Sequence, residues 1–352
     1  MNKVLVERLS NAFGPSGHEE DVLEVIREFV LDISLETDTL KNVYLNYKNS
    51  PTLPTVMLDA HSDEVGFMVQ DITDNGLLRI IALGGWVTSN IPAHRVIIKT
   101  RNGKYVKGTT TSRPPHFMNS TQREKKLELD DIFVDIGAFS KQEVEEIFHI
   151  SLGDPIAPEV YLEEIQETGL FMGKAFDNRI GCYCVLETLK ALKDTTLQVQ
   201  LTGAIAAQEE VGCRGAKVTV NKVKPQLAIV FEGSPADDIY EDIAHPQGGL
   251  KKGPQIRYMD SGMISNPNLI ELAKTTANTF ELPYQCAVRK AGSTNGAAIH
   301  ISEQGIPCLV LGIPTRYAHT HYGYISIEDI EHTVLLAVAI IKQLNEQVIQ
   351  NL

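Results

Sequence analysis

The chain has 352 residues, 43% hydrophobic and 22% charged, which is the composition of a globular protein with room for about two domains, not of a disordered or fibrous one. A formal net charge of −13 argues against nonspecific nucleic-acid binding, where a basic stripe is expected, and against docking on an anionic membrane surface. The five cysteines are scattered and mostly lie in apolar runs, the pattern of reduced buried thiols and so of a cytoplasmic protein.

From the N-terminus, MNKVLVERLSNAF lacks the continuous apolar stretch of a signal peptide, and no run of about 18 apolar residues that could span a membrane occurs anywhere. SGHEEDVLEVIREFV carries a capping-box pattern at Ser16 and Glu19, then apolar residues at Val22, Val25, Ile26 and Phe29, the spacing of a helix with one buried face. TVMLDA and EVGFMVQDI are short strands on either side of His61. From about Gly66 to Glu164 the texture becomes β-rich, with LLRIIAL, RVIIKT, KYVKGTT and DIFVDIG separated by Gly, Pro and Asn turns. Within that stretch, SRPPHFMNSTQREKKLELDD is polar and too long for a tight hairpin, so an exposed loop over about 112–130 is expected. From Gly169 onward α/β texture returns: NRIGCYCVLETLKALK is helical, LQVQLTGAIAA and QLAIVFE are strands, NPNLIELAKTTANTF is a helix and IPCLVLGI a strand. A final helix from Ser326 to Leu344 opens on a second capping-box pattern, Ser326 with Asp329.

Chemistry concentrates at the ends of these apolar runs. His61 and Asp63 follow VMLDA, Asp177 lies in GKAFDNRIGC, Glu209 and Glu210 follow GAIAAQ, Glu232 follows AIVF, and His319 lies in PTRYAHTHYG. In open α/β sheets the carboxyl ends of the strands line a common crevice, so these residues can converge despite their separation. Imidazole nitrogens and carboxylate oxygens suit Zn2+ or a similar divalent ion, and the set is large enough for two ions with Asp177 shared between them. Each residue has a plainer reading when taken alone. Asp177 could cap a helix, the Glu pair could be a solvated helix start, Glu232 could be a turn residue, and His319 competes with His321.

Taken in order, the motifs PSGHE, AHSDEVGFMV, GGW, PPH, GKAFDNRIGC, QEEVGCRGA and RYAH resemble those of the M42 family of metallo-aminopeptidases over essentially the whole chain. The resemblance implies an α/β fold, a mixed-sheet α/β/α metallopeptidase domain formed by 1–66 and 167–352, interrupted by a small β-barrel domain at 67–166 used in oligomerisation. It implies two divalent metal ions, Zn2+ or Co2+ with Mn2+ as a third candidate, with His61 and Glu232 on one, Glu210 and His319 on the other, and Asp177 between them. Glu209 would be the general base and Asp63 would orient His61. Short peptides are the implied substrates, and a homo-oligomer built from dimers, up to a dodecamer, the implied assembly. Two departures stand out: Glu232 where many relatives have Asp, and Ser293 and Thr294 where many have a Thr-Asp pair.

Two other classes are open on the residues. A polysaccharide-cleaving endoglucanase-type hydrolase could use Glu209 and Glu232 as acid and nucleophile, but it leaves both histidines without a role. Such a site also favours aromatic platforms, and the chain has one tryptophan, Trp86, beside eleven tyrosines. A non-catalytic scaffold on the same fold would be expected to have lost the base or a ligand, yet every position holds a competent residue type.

Overall fold

The computed structural model describes residues 1–30, 33–46, 52–240 and 242–352. In chain order the elements are α1 (Lys3–Asn11), α2 (Glu20–Phe29), β1 (Leu35–Thr37), β2 (Val43–Leu45), β3 (Thr55–His61), β4 (Gly66–Ile72), β5 (Leu78–Leu83), β6 (Arg95–Lys99), β7 (Tyr105–Ser112), α3 (Ser120–Glu124) and β8 (Ile132–Asp135). There follow α4 (Lys141–Glu146), β9 (Pro155–Pro158), β10 (Glu163–Ile165), β11 (Leu170–Gly173), α5 (Phe176–Ala191), β12 (Gln200–Ala206), α6 (Arg214–Val223) and β13 (Leu227–Pro235). The chain closes with β14 (Gln255–Met259), α7 (Pro267–Thr279), β15 (Gln285–Val288), α8 (Gly296–Ile299), β16 (Cys308–Arg316), β17 (Gly323–Ser326), α9 (Ile327–Ile341) and α10 (Glu346–Gln350).

An 11-stranded mixed sheet runs β1-β2-β12-β3-β13-β16-β17-β11-β10, with β14 and β15 joined to it through β16. Its centre is parallel: β12 pairs with β3, β3 with β13, and β13 with β16. Side chains alternate across these strands as a pleat requires. On one face Val56, Leu58 and Ala60 of β3, Ile229 and Phe231 of β13, and Leu309 and Leu311 of β16 pack against α1, α2, α5, α7 and α9. On the other, Met57, Ala228, Val230 and Val310 pack against α6 and α8. Because both faces are covered, the central strands are apolar at nearly every position, which is why AIVF and CLVL read as unbroken hydrophobic runs.

Between β3 and α5 the chain makes a closed antiparallel barrel, β4-β5-β8-β7-β6-β9, filled by Phe67, Val69, Leu78, Ile80, Val96 and Ile98 among others. Closure removes free edges from these short strands. The polar stretch expected to be a loop over 112–130 carries the short helix α3, with Asn119 and Gln122 forming a capping box.

Both capping boxes expected at longer helices are corrected. At α2 the N-cap is Glu19 and no side chain caps it. Instead the Ser16 hydroxyl donates to Asp63 Oδ2 at 2.6 Å, and Glu19 Oε1 accepts from the backbone N–H groups of Gly17 and Gln208. At α9, Ser326 occupies the N-cap position without a side-chain bond, and Asp329 accepts from the backbone of Lys251 and Gly253, each at 2.7 Å. At α2 the would-be capping hydroxyl of Ser16, and at α9 the would-be capping carboxylate of Asp329, are taken up by partners remote in sequence. All five cysteines are free, with Cys182, Cys184 and Cys308 buried. Among the described residues, no helix is long and apolar enough to cross a membrane.

Candidate metal centre

The parallel core of the sheet brings the predicted residues to one edge. His61 ends β3 and lies in register with Ala206, which ends β12, so the turn after β12 carries Glu209 and Glu210 up to the imidazole. Glu232 lies on β13 opposite Gly312 of β16, and His319 follows the end of β16. Asp177 arrives from the opposite direction, at the entry to α5, where it and Asn178 are joined by a cis peptide and lie outside helical dihedrals.

Asp177 stands between the two histidines. Its Oδ1 lies 3.1 Å from His61 Nε2 and its Oδ2 lies 3.3 Å from His319 Nε2. His61 Nε2 is also 3.8 Å from Glu232 Oε1 and 3.8 Å from Glu209 Oε2, while His319 Nε2 is 3.5 Å from Glu210 Oε1. Atoms of His61, Asp177 and Glu210 fall within 4.8 Å of one another, a spacing that admits a metal ion. His321, the competing imidazole, lies elsewhere: it is buried against His94 and Trp86, with ring centroids 4.1 and 5.0 Å away.

Asp63 ties this edge together. Its Oδ1 is 3.3 Å from His61 Nδ1, and its two oxygens accept from the backbone N–H groups of Glu209 and Glu210 as well as from Ser16. Asn178 does the same for Glu232: its Nδ2 donates to Phe231 O and to Glu232 Oε2, while its Oδ1 accepts from the Gly181 and Gly233 N–H groups. The sequence pattern did not single out Ser16 or Asn178 as part of the site. A short polar side chain at a strand or helix end carries no signal until its distant partner is known.

The electrostatics are those of crowded anions. Burial pushes Glu232 up to about 8, with the Asp177 charge adding to it, and burial lifts Glu210 well above the usual carboxylate range. Burial also raises Glu209. It would raise Asp177 too, but the flanking His319 and His61 hold that carboxyl below its ordinary range. His319 moves up to about 10, because Asp177 and Glu210 outweigh the burial of the ring. Two imidazoles do not neutralise Asp177, Glu209, Glu210 and Glu232, and Glu210 Oε1 is buried with no hydrogen-bond partner among the described residues. Added divalent charge would relieve both conditions, and a set of imidazole nitrogens and carboxylate oxygens is of the right chemistry to hold it.

The barrel reaches this site. Gly84 and Gly85 directly follow β5, and Trp86 pins the turn by donating from Nε1 to Gly66 O and stacking on Phe67 at 4.7 Å. Gly84 has φ +84°, and a Cβ there would stand 2.9 Å from Glu210 Oε2; a Cβ on Gly85 would stand 3.3 Å from His319 Nδ1. Only glycine fits this approach without displacing a site residue.

A covered mixed sheet, with imidazoles and carboxylates converging at the carboxyl ends of its parallel strands, defines a metal-dependent hydrolase. The M42 glutamyl aminopeptidase family model matches residues 41–336. The glutamyl aminopeptidase of Lactococcus lactis subsp. cremoris is 33% identical over 346 residues, covering 97% of this chain and 96% of that one. The lysyl aminopeptidase of Pyrococcus furiosus is 30% identical over 348 residues, with 97% and 96% covered. Among solved structures, a TET aminopeptidase from a marine sediment Thaumarchaeota archaeon superposes with a TM-score of 0.94 at 34% identity, covering 99% of both chains. The Pyrococcus horikoshii TET1 peptidase, which can assemble into a tetrahedron or an octahedral shell, gives 0.85 at 26% identity, covering 97% of this chain and 99% of that one. A protein titled endoglucanase from Thermotoga maritima is more distant, at 0.76 and 25%, with 98% of each covered. The chain belongs to the M42 glutamyl aminopeptidase family and is a metal-dependent aminopeptidase.

Proposed function

We propose that the chain removes N-terminal residues from short peptides at a centre of two divalent metal ions, Zn2+ or Co2+ with Mn2+ as the other candidate. His61 and Glu232 would hold one ion, Glu210 and His319 the other, with Asp177 shared. The observation that carries this reading is the position of Asp177, each of whose oxygens faces a different imidazole. When bound, such ions acidify water and polarise a peptide carbonyl.

The protein's own groups do the rest. Glu209 faces His61 from 3.8 Å and is the carboxylate placed to take a proton from water and hand it to the leaving amine. Asp63 accepts at the Nδ1 side of His61, which fixes the ring orientation and leaves Nε2 toward the centre. The endoglucanase-type reading would use Glu209 and Glu232 alone and gives the two imidazoles beside them nothing to do.

The test is release of amino acid from aminoacyl-p-nitroanilides and short peptides, with chelator and after re-addition of Zn2+ or Co2+. Activity is expected to disappear on chelation and return with metal, and N-acetylated peptides are expected to resist. Cleavage of carboxymethylcellulose that survives chelation would overturn the peptidase reading. A second result is expected at the barrel turn: Gly84→Ala should weaken metal binding about 10- to 100-fold, the size that follows when groups orienting a ligand are disturbed. Calorimetric titration of Zn2+ into stripped protein would show it, with circular dichroism reporting whether the fold is kept.

The closed barrel supports a division into 1–66 with 167–352 as the catalytic part and 67–166 as an inserted part that serves self-association into dimers and larger shells. Free thiols support a cytoplasmic setting. Light scattering on the full chain would show whether assemblies form.

A further inference from the structure

The loop after β12 carries both Glu209 and Glu210, and carboxylates bind three of its successive main-chain amides. The Glu209 and Glu210 N–H groups donate to the two oxygens of Asp63 at 2.9 and 3.1 Å, and the Gln208 N–H donates to Glu19 Oε1 at 3.1 Å. Downstream the loop is closed by its own backbone: the Gly212 and Cys213 N–H groups donate to Glu209 O, and the Arg214 N–H donates to Gln208 O. Upstream, Gln208 lies in the left-handed region at φ +55°, a conformation that a residue with a side chain adopts at a cost and keeps only where its surroundings hold it. Glu19 is the side chain bonded to that amide.

Glu19 is fully buried, in a turn that comes from the far end of the chain. Its Oε1 also accepts from the Gly17 N–H at 2.7 Å, and Lys41 Nζ braces the same turn by donating to Gly17 O at 2.6 Å. Ser16 of this turn donates to Asp63 Oδ2. The turn therefore reaches the loop twice, directly through Glu19 and by way of Asp63 through Ser16. The fold alone does not call for an acid here. Burial, with the Asp63 charge adding to it, pushes the Glu19 carboxyl up to about 7; its Oε2 has no hydrogen-bond partner among the described residues, and the side chain does not cap α2. An ionisable group buried at such a cost beside a reactive loop marks a functional role more than a structural one.

We propose that Glu19 is a positioning residue for Glu209. Through the Gln208 amide it sets the backbone of the loop, so that the Glu209 carboxylate keeps its place 3.8 Å from His61 Nε2, where a proton has to be taken and returned. Glu19 itself touches neither substrate nor metal in this role. The inference rests on the reading of Glu209 as the base. The movement at stake is small, since a misplacement of about 1 Å in a reacting group costs about 100-fold in rate.

The experiment uses the full chain loaded with Zn2+ and an aminoacyl-p-nitroanilide that the wild type cleaves. Glu19→Ala is expected to lower kcat by about 10- to 100-fold, with KM within about threefold of wild type and metal content unchanged. Glu19→Gln keeps Oε1 as an acceptor and is expected to bring kcat back to within about threefold of wild type. The deciding measurement is a double-mutant cycle: a residue that acts through Glu209 costs nothing further once Glu209→Gln is in place. An unchanged kcat in Glu19→Ala, a loss that adds in full to that of Glu209→Gln, or a loss explained by missing metal would each overturn the proposal. Where alanine prevents folding, Glu19→Asp, which keeps the charge and withdraws the acceptor by one methylene, has to show the same fall and the same lack of additivity. Glu209→Gln measured alone reports on the reading beneath: wild-type turnover in that variant removes the base, and no cleavage by the metal-loaded wild type removes the peptidase reading, whatever Glu19 does.

Discussion

Glu209→Gln is expected to lower kcat by about 100- to 10,000-fold, the usual contribution of a positioned acid–base group, with metal content unchanged. The residue is set apart from its neighbour Glu210 by its surroundings. The Cys213 thiol donates to Glu209 Oε1 at 3.3 Å, and the Glu209 backbone N–H is held by Asp63 at 2.9 Å, so the carboxylate is steadied without being drawn between the histidines. Glutamine preserves this shape and the thiol contact but cannot accept a proton at neutral pH. Elemental analysis and active-site titration of wild type and variant, run beside steady-state kinetics, separate loss of the base from loss of metal. A variant that keeps its metal and most of its turnover would remove Glu209 from the chemistry. One that loses its metal would place Glu209 among the ligands.

Arg179→Met is expected to destabilise the fold by about 3–5 kcal/mol, the range for breaking a buried charged network by removing one partner. The guanidinium is 1% exposed and donates to the carbonyls of Leu9, Ala12, Gly14 and Ser62 and to Glu64. Lys174 reinforces the same cluster, donating to Ala12 O and to both oxygens of Glu64. Methionine fills the volume but leaves buried carbonyls without donors and Glu64 with one cation in place of two. Denaturation midpoints by urea, monitored by tyrosine fluorescence and circular dichroism, measure the loss. Arg8→Ala, at the exposed Arg8–Glu28 pair, is the control and should leave the midpoint nearly where it was. If Arg179→Met behaved like that control, the network would be structural decoration.

The two cases differ in how far the sequence announced them. His61, Glu209, Glu210 and Glu232 follow apolar runs, and a run that ends abruptly in an ionisable residue is visible without a structure. That such ends converge on one crevice is what an open α/β pattern implies, and the parallel order β12-β3-β13-β16, which the sequence did not supply, puts them side by side. Arg179 looked like an ordinary charged neighbour of Asp177, because four of its five acceptors are main-chain oxygens, which have no residue type to recognise. Ser16 misled for a related reason. Its position relative to Glu19 satisfied a local helix-start rule, but its hydroxyl went to a carboxylate 47 residues away. The helix α6 went unread because Val218, Thr219 and Val220 look like strand residues. Burial of Ala216, Thr219, Val220 and Val223 along one face shows tertiary packing deciding the matter.

The turn at Gly84, Gly85 and Trp86 has a bearing on how such a chain can be rebuilt. Its two bare backbone units are pressed on the groups beneath by an indole anchored in the barrel, so the barrel is a roof tile over the chemistry as well as a separate module. A chimera that exchanges the barrel for another, or excises it to obtain a minimal enzyme, would have to carry these three residues and their anchoring floor at Gly66 and Phe67, or uncover the Glu210 carboxylate that Gly84 packs against.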